Sequence, residues 1–227
     1  EDHDKIRGVP GNFENFLETY KNLAKLKKKY PGRLRMRICT TVFFSKKYPG
    51  LNIAKMPELL SFVAENLKEI ASIGFELLRG DFNKEQVRGL AAEEFEPLVE
   101  VFKKNKQIRF FNRGIALSYY QFCFEVLKKK NQVIPCRISA FYPVVDAVGN
   151  VYPCESRPEK LGNLRDFDFD LTRVWKSKKA RQVRQSVRKK ECYCTHAAYQ
   201  IPNIYLSPKA AQRILKEAEP DAVKEKK

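Results

Sequence analysis

Four cysteines crowded into the C-terminal part of the chain, Cys136, Cys154, Cys192 and Cys194, constrain its fold more than any other feature. Cys136 precedes a hairpin-like segment and Cys154 ends it, so a turn at Gly149 brings both sulfurs to the hairpin's base. Cys192 and Cys194 are one residue apart on a segment that follows a basic helix and can return to the same place. Four thiolates on short irregular segments make a natural tetrahedral metal site or iron–sulfur site. A Cys-x-Cys pair ligates either metal, so spacing leaves zinc and iron–sulfur both open, beside four unrelated buried thiols. Disulfides are not expected: the opening Glu1-Asp2-His3-Asp4 has no apolar segment behind it and reads as no secretory signal. The expected compartment is the cytoplasm. Cys39, inside a strand, and Cys123, inside an aromatic helix, read as core thiols.

The remainder of the chain supplies elements for two domains, as 227 residues allow. Apolar spacing predicts a helix over 12–30, capped by Asn12 and stopped by Pro31-Gly32. A strand is expected over 34–44, then a loop at 45–50 and a helix opened by Pro57. A short buried strand at 73–79 and a helix marked by Phe95, Leu98, Val99 and Phe102 follow. Strand and helix thus alternate as in βαβ units, giving an α/β class with too few units to close a barrel of eight. Beyond residue 108 the pattern changes to an aromatic helix over 115–130. Ile138 to Val145 reads as extended, with a turn at 146–150 and a return strand from Val151, so a boundary falls within 110–135. Chemistry in parallel sheets gathers at the C-terminal strand ends, which makes Thr41, Arg79 and Asp81 candidates for cofactor contact, with an Arg79–Asp81 pairing the structural alternative.

Charge points to anionic partners. Lysine and arginine number 44 against 27 acidic residues, a net of +17. Lys176 to Lys190 holds eight basic residues and no acidic one, while Val183 and Val187 define a narrow inward face. Such a helix keeps its charges in solvent, and its field favours an anionic thiolate centre at Cys192. Binding to a nucleic-acid backbone is the functional alternative. Every apolar stretch is interrupted by Lys or Arg, so no membrane span is expected. With His3 and His196 the only histidines, hydrolase triads are not expected; His196 reads as a ligand, a donor to cluster sulfur, or a helix cap.

The order of these motifs resembles the radical S-adenosylmethionine enzymes with a SPASM or twitch C-terminal domain. Cys136, twelve residues, Gly149, four residues and Cys154 are similar to the first half of that domain's signature. Asp146-Ala147-Val148-Gly149-Asn150-Val151-Tyr152-Pro153 resembles its hairpin, and Gly162-Asn163-Leu164 and Trp175 the stretch after it. Cys192-Tyr193-Cys194-Thr195-His196 resembles the closing ligand segment. Upstream, His3 to Gly8 is similar to the turn after the barrel's fourth strand, Thr40-Thr41-Val42 to the fifth strand, and Phe75 to Asp81 to the sixth.

The resemblance implies the C-terminal half of a partial (β/α) radical-SAM barrel at 1–110 and a connecting helix at 111–135. A small α+β twitch/SPASM-like iron–sulfur domain would follow at 136–208, and a charged tail at 209–227. It implies an auxiliary [4Fe–4S] cluster on Cys136, Cys154, Cys192 and Cys194, in a metal-binding oxidoreductase acting on a peptide or small-molecule substrate. The Cys-x3-Cys-x2-Cys loop for the S-adenosylmethionine-cleaving cluster is not in this sequence. That second [4Fe–4S] cluster and S-adenosyl-L-methionine therefore belong to an intact parent chain, or to a partner supplying the missing N-terminal half. The missing Met at position 1 fits a piece of a longer polypeptide. A full SPASM domain carries seven cysteines; four here, with Ala197-Ala198 where relatives place another, imply a single auxiliary cluster.

Overall fold

The computed structural model describes residues 2–47, 55–79, 87–104 and 113–217, and the chain divides into two compact units, Glu1–Leu117 and Ser118–Lys227. In the first unit, helices α1 (Asp2–Arg7) and α2 (Asn12–Lys29) lead to strand β1 (Met36–Val42) and the short β2 (Phe44–Ser45). Helix α3 (Met56–Asn66) then precedes β3 (Ile70–Leu77), β4 (Val87–Arg88) and helix α4 (Ala92–Lys104). β1 and β3 pair in parallel, from Met36 opposite Ile70 to Val42 opposite Leu77, with α3 lying between them in sequence as a parallel pair requires. β2 and β4 form a separate antiparallel pair.

Apolar residues of these elements make the unit's core. Val42, Ile73, Phe75 and Leu77 are buried on the strands, Leu60 and Val63 on α3, and Phe95, Leu98, Val99 and Phe102 on α4. The Phe75 and Phe102 rings lie 4.4 Å apart, tilted as their quadrupoles favour.

Three local expectations are corrected. The N-cap of α2 is Gly11, not Asn12: its φ of 75° reverses the chain, and the Asp4 carboxylate accepts from the Gly11 and Phe13 amides at 2.9 and 2.7 Å. These bonds, with the Phe13 amide strongest, hold Asp4 below the usual carboxylate range. His3 to Arg7, expected as a turn, are helical, because Asp4 ties α1 to the start of α2. Cys39 is exposed, not in the core, because β1 alternates and its neighbours Ile38 and Thr40 occupy the more covered side.

The second unit is built on α5 (Arg113–Lys129), which crosses the division at its first turns. Short elements follow: α6 (Ile138–Phe141), β5 (Val144–Val145), β6 (Asn150–Tyr152), β7 (Gly162–Asn163) and a 3-10 turn at Leu164–Phe167. Four helices complete it: α7 (Leu171–Trp175), α8 (Lys178–Arg188), α9 (Ala197–Tyr205) and α10 (Pro208–Glu217). Residues 138–141 are helical where an extended segment is expected, so the hairpin begins only at Val144. Residues 209–217, assigned by the sequence to a tail, belong to α10, whose i, i+4 apolar positions Ala210 and the half-buried Ile214 give it an inward side.

β5, β6 and β7 form an antiparallel sheet in that order. Val151 from its central strand packs with Leu161, Val174, Ala180 and Val183, edged by Leu164, Phe167, Leu171 and Trp175. Ser177 caps α8 by accepting from the Ala180 amide, and Asp170 caps α7 through the Thr172 and Arg173 amides.

The hairpin turn is organised by Asp146. Its carboxylate accepts from the Val148 and Asn150 amides, the Asn150 side chain and the Tyr152 hydroxyl. Desolvation pushes its pKa up, but these donors outweigh it and leave the carboxyl below 3.8. Gly149 has φ of 86°, and a Cβ there would meet Arg165 Nη1 at 2.8 Å and Asn163 Oδ1 at 3.1 Å. Gly149→Ala should therefore destabilise the unit by at least about 1–2 kcal/mol in urea unfolding, from left-handed strain alone. Because the native Asp146 pKa is depressed, its contribution is full above 3.8 and lost as pH falls through the lower native value. Asp146→Asn should flatten that acid-side loss of stability.

Candidate metal centre

The four C-terminal thiols sit on three irregular segments: the approach to α6, the exit from β6, and the stretch between α8 and α9. All four are free and partly buried. Without a regular hydrogen-bond ladder, these segments are tied down by side chains reaching their backbone groups.

Gln132 joins two of them. Its Oε1 accepts from the Cys136 amide at 3.1 Å, and its Nε2 donates to the carbonyls of Val187 and Cys192, both at 2.9 Å. Behind Cys194, the Tyr119 hydroxyl of α5 donates to the Thr195 carbonyl at 2.8 Å, with Cys123 Sγ at 3.8 Å from the same oxygen. Cys123 is thus a buried thiol, as its helix position predicts.

Helix α9 supplies the other ties. The buried Tyr199 hydroxyl accepts from the Glu155 amide at 2.9 Å, beside Cys154. Gln200 Nε2 donates to the Cys194 carbonyl at 2.8 Å, and Asn203 Oδ1 accepts from the Arg137 amide at 2.9 Å, beside Cys136. Gln200 and Asn203 are three residues apart and so share a helical face. His196 is the N-cap of α9: its Nδ1 accepts from the Ala198 amide and its Nε2 meets Glu155 Oε2 at 2.6 Å. With both ring nitrogens engaged, His196 serves as a cap and a clamp on Glu155, not a metal ligand.

The thiols share one electrostatic neighbourhood. Burial pushes Cys154 up to about 11, and the charges of Cys194, Cys136 and Cys192 add to the rise. Burial also raises Cys136, reinforced by Cys194 and Cys192 and opposed by the Ile138 amide and the Asn203 side chain. Arg157 is held above its ordinary range, first by Glu159, with which it forms an ion pair, and further by Cys192.

Two buried donors beside these sulfurs lack an acceptor among the described residues: Asn203 Nδ2 and Arg157 Nη1. Leaving such a donor unmatched costs about 1–3 kcal/mol, more for a charged group. An anionic sulfur-rich group at the thiols would supply acceptors, so the donor set fits thiolate-bound iron–sulfur chemistry. Among the described residues no group of three or more His, Cys, Asp or Glu side chains stands in an arrangement that could hold a metal ion.

Basic helix α8 leads into this site. Ala180, Val183 and Val187 face inward, whereas Lys178, Lys179, Arg181 and Arg188 are exposed. Arg184 lies over the Trp175 ring at 5.5 Å. Among the described residues no helix is long and apolar enough to cross a membrane.

Thr41 is exposed on β1 opposite Glu76, and Arg79 donates to Glu76 at 3.0 Å and to the Leu77 carbonyl. Arg79 therefore pairs with Glu76, whose strand register puts it within reach, and Asp81 lies outside the described residues. Gln132, Tyr199, Gln200 and Asn203 escaped the sequence reading. The available signal was a pair of carboxamides at helical spacing directly after a Cys-x-Cys.

The raised thiols carry a testable consequence. In the metal-free protein Cys154 is protonated at neutral pH, so its alkylation by iodoacetamide should be slow at pH 7 and accelerate towards pH 11. Metal must displace those protons, and loading should strengthen as pH rises. Equal alkylation rates at pH 7 and pH 10 would contradict this electrostatic picture.

Residues 135–196, which contain all four thiols, match the model of the SPASM family, an iron-sulfur cluster-binding domain. No curated protein and no solved structure matches the chain. This stretch of the second unit is thus similar to an iron-sulfur cluster-binding domain of the SPASM type.

Proposed function

We propose that Cys136, Cys154, Cys192 and Cys194 hold one auxiliary [4Fe–4S] cluster, and that the chain acts as the C-terminal part of a radical SAM enzyme. The carrying observation is that the charges of Cys192 and Cys194 reach both Cys136 and Cys154, and that two buried donors beside these free thiols lack acceptors among the described residues. The SPASM match over the same residues supports the choice of iron–sulfur chemistry. When bound, such a cluster supplies a one-electron carrier or a Lewis-acid iron that takes a substrate group. The chain's own residues do the rest: Gln132 and Gln200 fix the ligand-bearing backbone, Tyr199 and His196 clamp the Cys154 side, and α8 provides a positive field.

In this reading residues 1–110 are the latter half of a partial barrel, for which the parallel β1–β3 pair is the support. Residues 111–135 connect it to the cluster domain at 136–208, and residues 209–227 close the chain. Thr41, Arg79 and Asp81 are the proposed contacts for S-adenosyl-L-methionine. That cofactor and the second [4Fe–4S] cluster require an intact parent or a partner chain carrying the missing N-terminal half. The proposed substrate is a peptide or a small molecule, and a reducing cytoplasm suits the free thiols.

Anaerobic reconstitution with iron and sulfide, with zinc in competition, tests the proposal. About four irons and four sulfides per chain are expected, with absorbance near ~400 nm, both lost in Cys136→Ala and Cys154→Ala. One zinc without labile sulfide would overturn it. The exposed basic face of α8 then favours the alternative, a zinc-stabilised nucleic-acid-binding module without enzyme activity, whose affinity must fall steeply with salt.

A further inference from the structure

Three carboxamides surround the thiols, and each does two things at once. Gln132 Nε2, besides holding the Val187 and Cys192 carbonyls, stands 4.0 Å from Cys192 Sγ. Gln200 Nε2, besides holding the Cys194 carbonyl, stands 3.8 Å from Cys194 Sγ. Asn203 uses its Oδ1 on the Arg137 amide, while its Nδ2, in a side chain only 1% exposed, has no acceptor among the described residues. That free amide lies on the Cys136 side, near enough to oppose the effect of burial on the thiol. Cys194 and Cys136 therefore each face a neutral donor with an N–H to spare, whereas both Gln132 hydrogens are spent on carbonyls and Cys154 receives the backbone amide of Ser156.

We propose that Gln200 and Asn203 are positioning residues that donate N–H to the ligand sulfurs of the bound cluster, Gln200 to Cys194 and Asn203 through its unused Nδ2 to Cys136, and thereby set its reduction potential. This inference rests on the cluster reading above. Donors to cluster sulfur stabilise the more negative, reduced state and raise the potential. Neutral amides achieve this without a second charge in a partly buried site, and their carbonyl oxygens remain available to hold the backbone. Arg157 Nη1, also buried without an acceptor, adds a charged donor on the Cys192 side.

The test compares Asn203→Asp and Gln200→Met with the parent chain after anaerobic reconstitution. Readouts are iron and sulfide content and the midpoint potential from EPR-monitored redox titration. Asn203→Asp keeps the shape and the acceptor for the Arg137 amide but removes the donor; Gln200→Met removes a donor without adding charge. The expected result is a more negative midpoint in the loaded fraction of both, with a fuller shift in a double variant. Gln200→Met carries the test alone if Asn203→Asp fails to fold by circular dichroism. Unchanged midpoints in loaded variants would overturn the donor role while leaving the cluster reading intact. Failure of the parent chain to take up iron and sulfide would overturn the cluster reading itself, and this inference with it.

Discussion

Hydrogen bonds from side chains to irregular backbone are the interaction on which the second unit depends. A four-thiol site needs loops, because helices and strands do not converge four cysteines on one point. Loops, however, leave amides and carbonyls unpaired, and burying these unsatisfied is costly. The chain meets the conflict with Gln132, Tyr119, Tyr199, Gln200 and Asn203, which bind the backbone next to Cys136, Cys192, Thr195, Glu155, Cys194 and Arg137. Because these residues come from α5, the segment after it and α9, the site forms only when those parts are assembled.

Electrostatics ties the state of the same thiols to pH. Partial burial and mutual repulsion favour protonated thiols, most clearly at Cys154. Arg157, held above its ordinary range in part by Cys192, and the basic α8 that leads to Cys192 put positive charge on that side. Any metal taken up by these thiols would have to displace their protons, while the hydrophobic cluster around Val151 and Val174 holds the sheet in place.

Much of the fold was legible because local chemistry and tertiary structure agree. Apolar spacing located α2, α3, α4 and α5, and Pro57 marked the opening turn of α3. The failures have physical causes. Asn12 is a good cap by type, but the helix starts from Gly11, with Asp4 of the preceding helix holding the Gly11 and Phe13 amides, an interaction across up to nine residues that spacing does not reveal. The 138–145 segment is apolar enough for a strand, yet four of its residues close into α6, whose Ile138 and Ser139 are buried. Cys39 has the type of a core residue, but strand alternation turned it outward.

The sequence by itself determined which residues can ligate: four cysteines, their hairpin spacing around Gly149, and the basic helix before Cys192 are matters of residue type and order. Asp146 and Gly149 also act within their own turn, so their roles follow from local chemistry. Only the tertiary structure decided what surrounds those sulfurs. Gln132 reaches Cys192 across 60 residues and Asn203 reaches Arg137 across 66, and such pairings depend on how α5, the loops and α9 pack. His196 likewise passes from a potential ligand to a cap because Glu155, 41 residues away, occupies its second nitrogen. Ligand identity is a property of side-chain type, whereas the donors around a ligand are a property of distance in the folded chain.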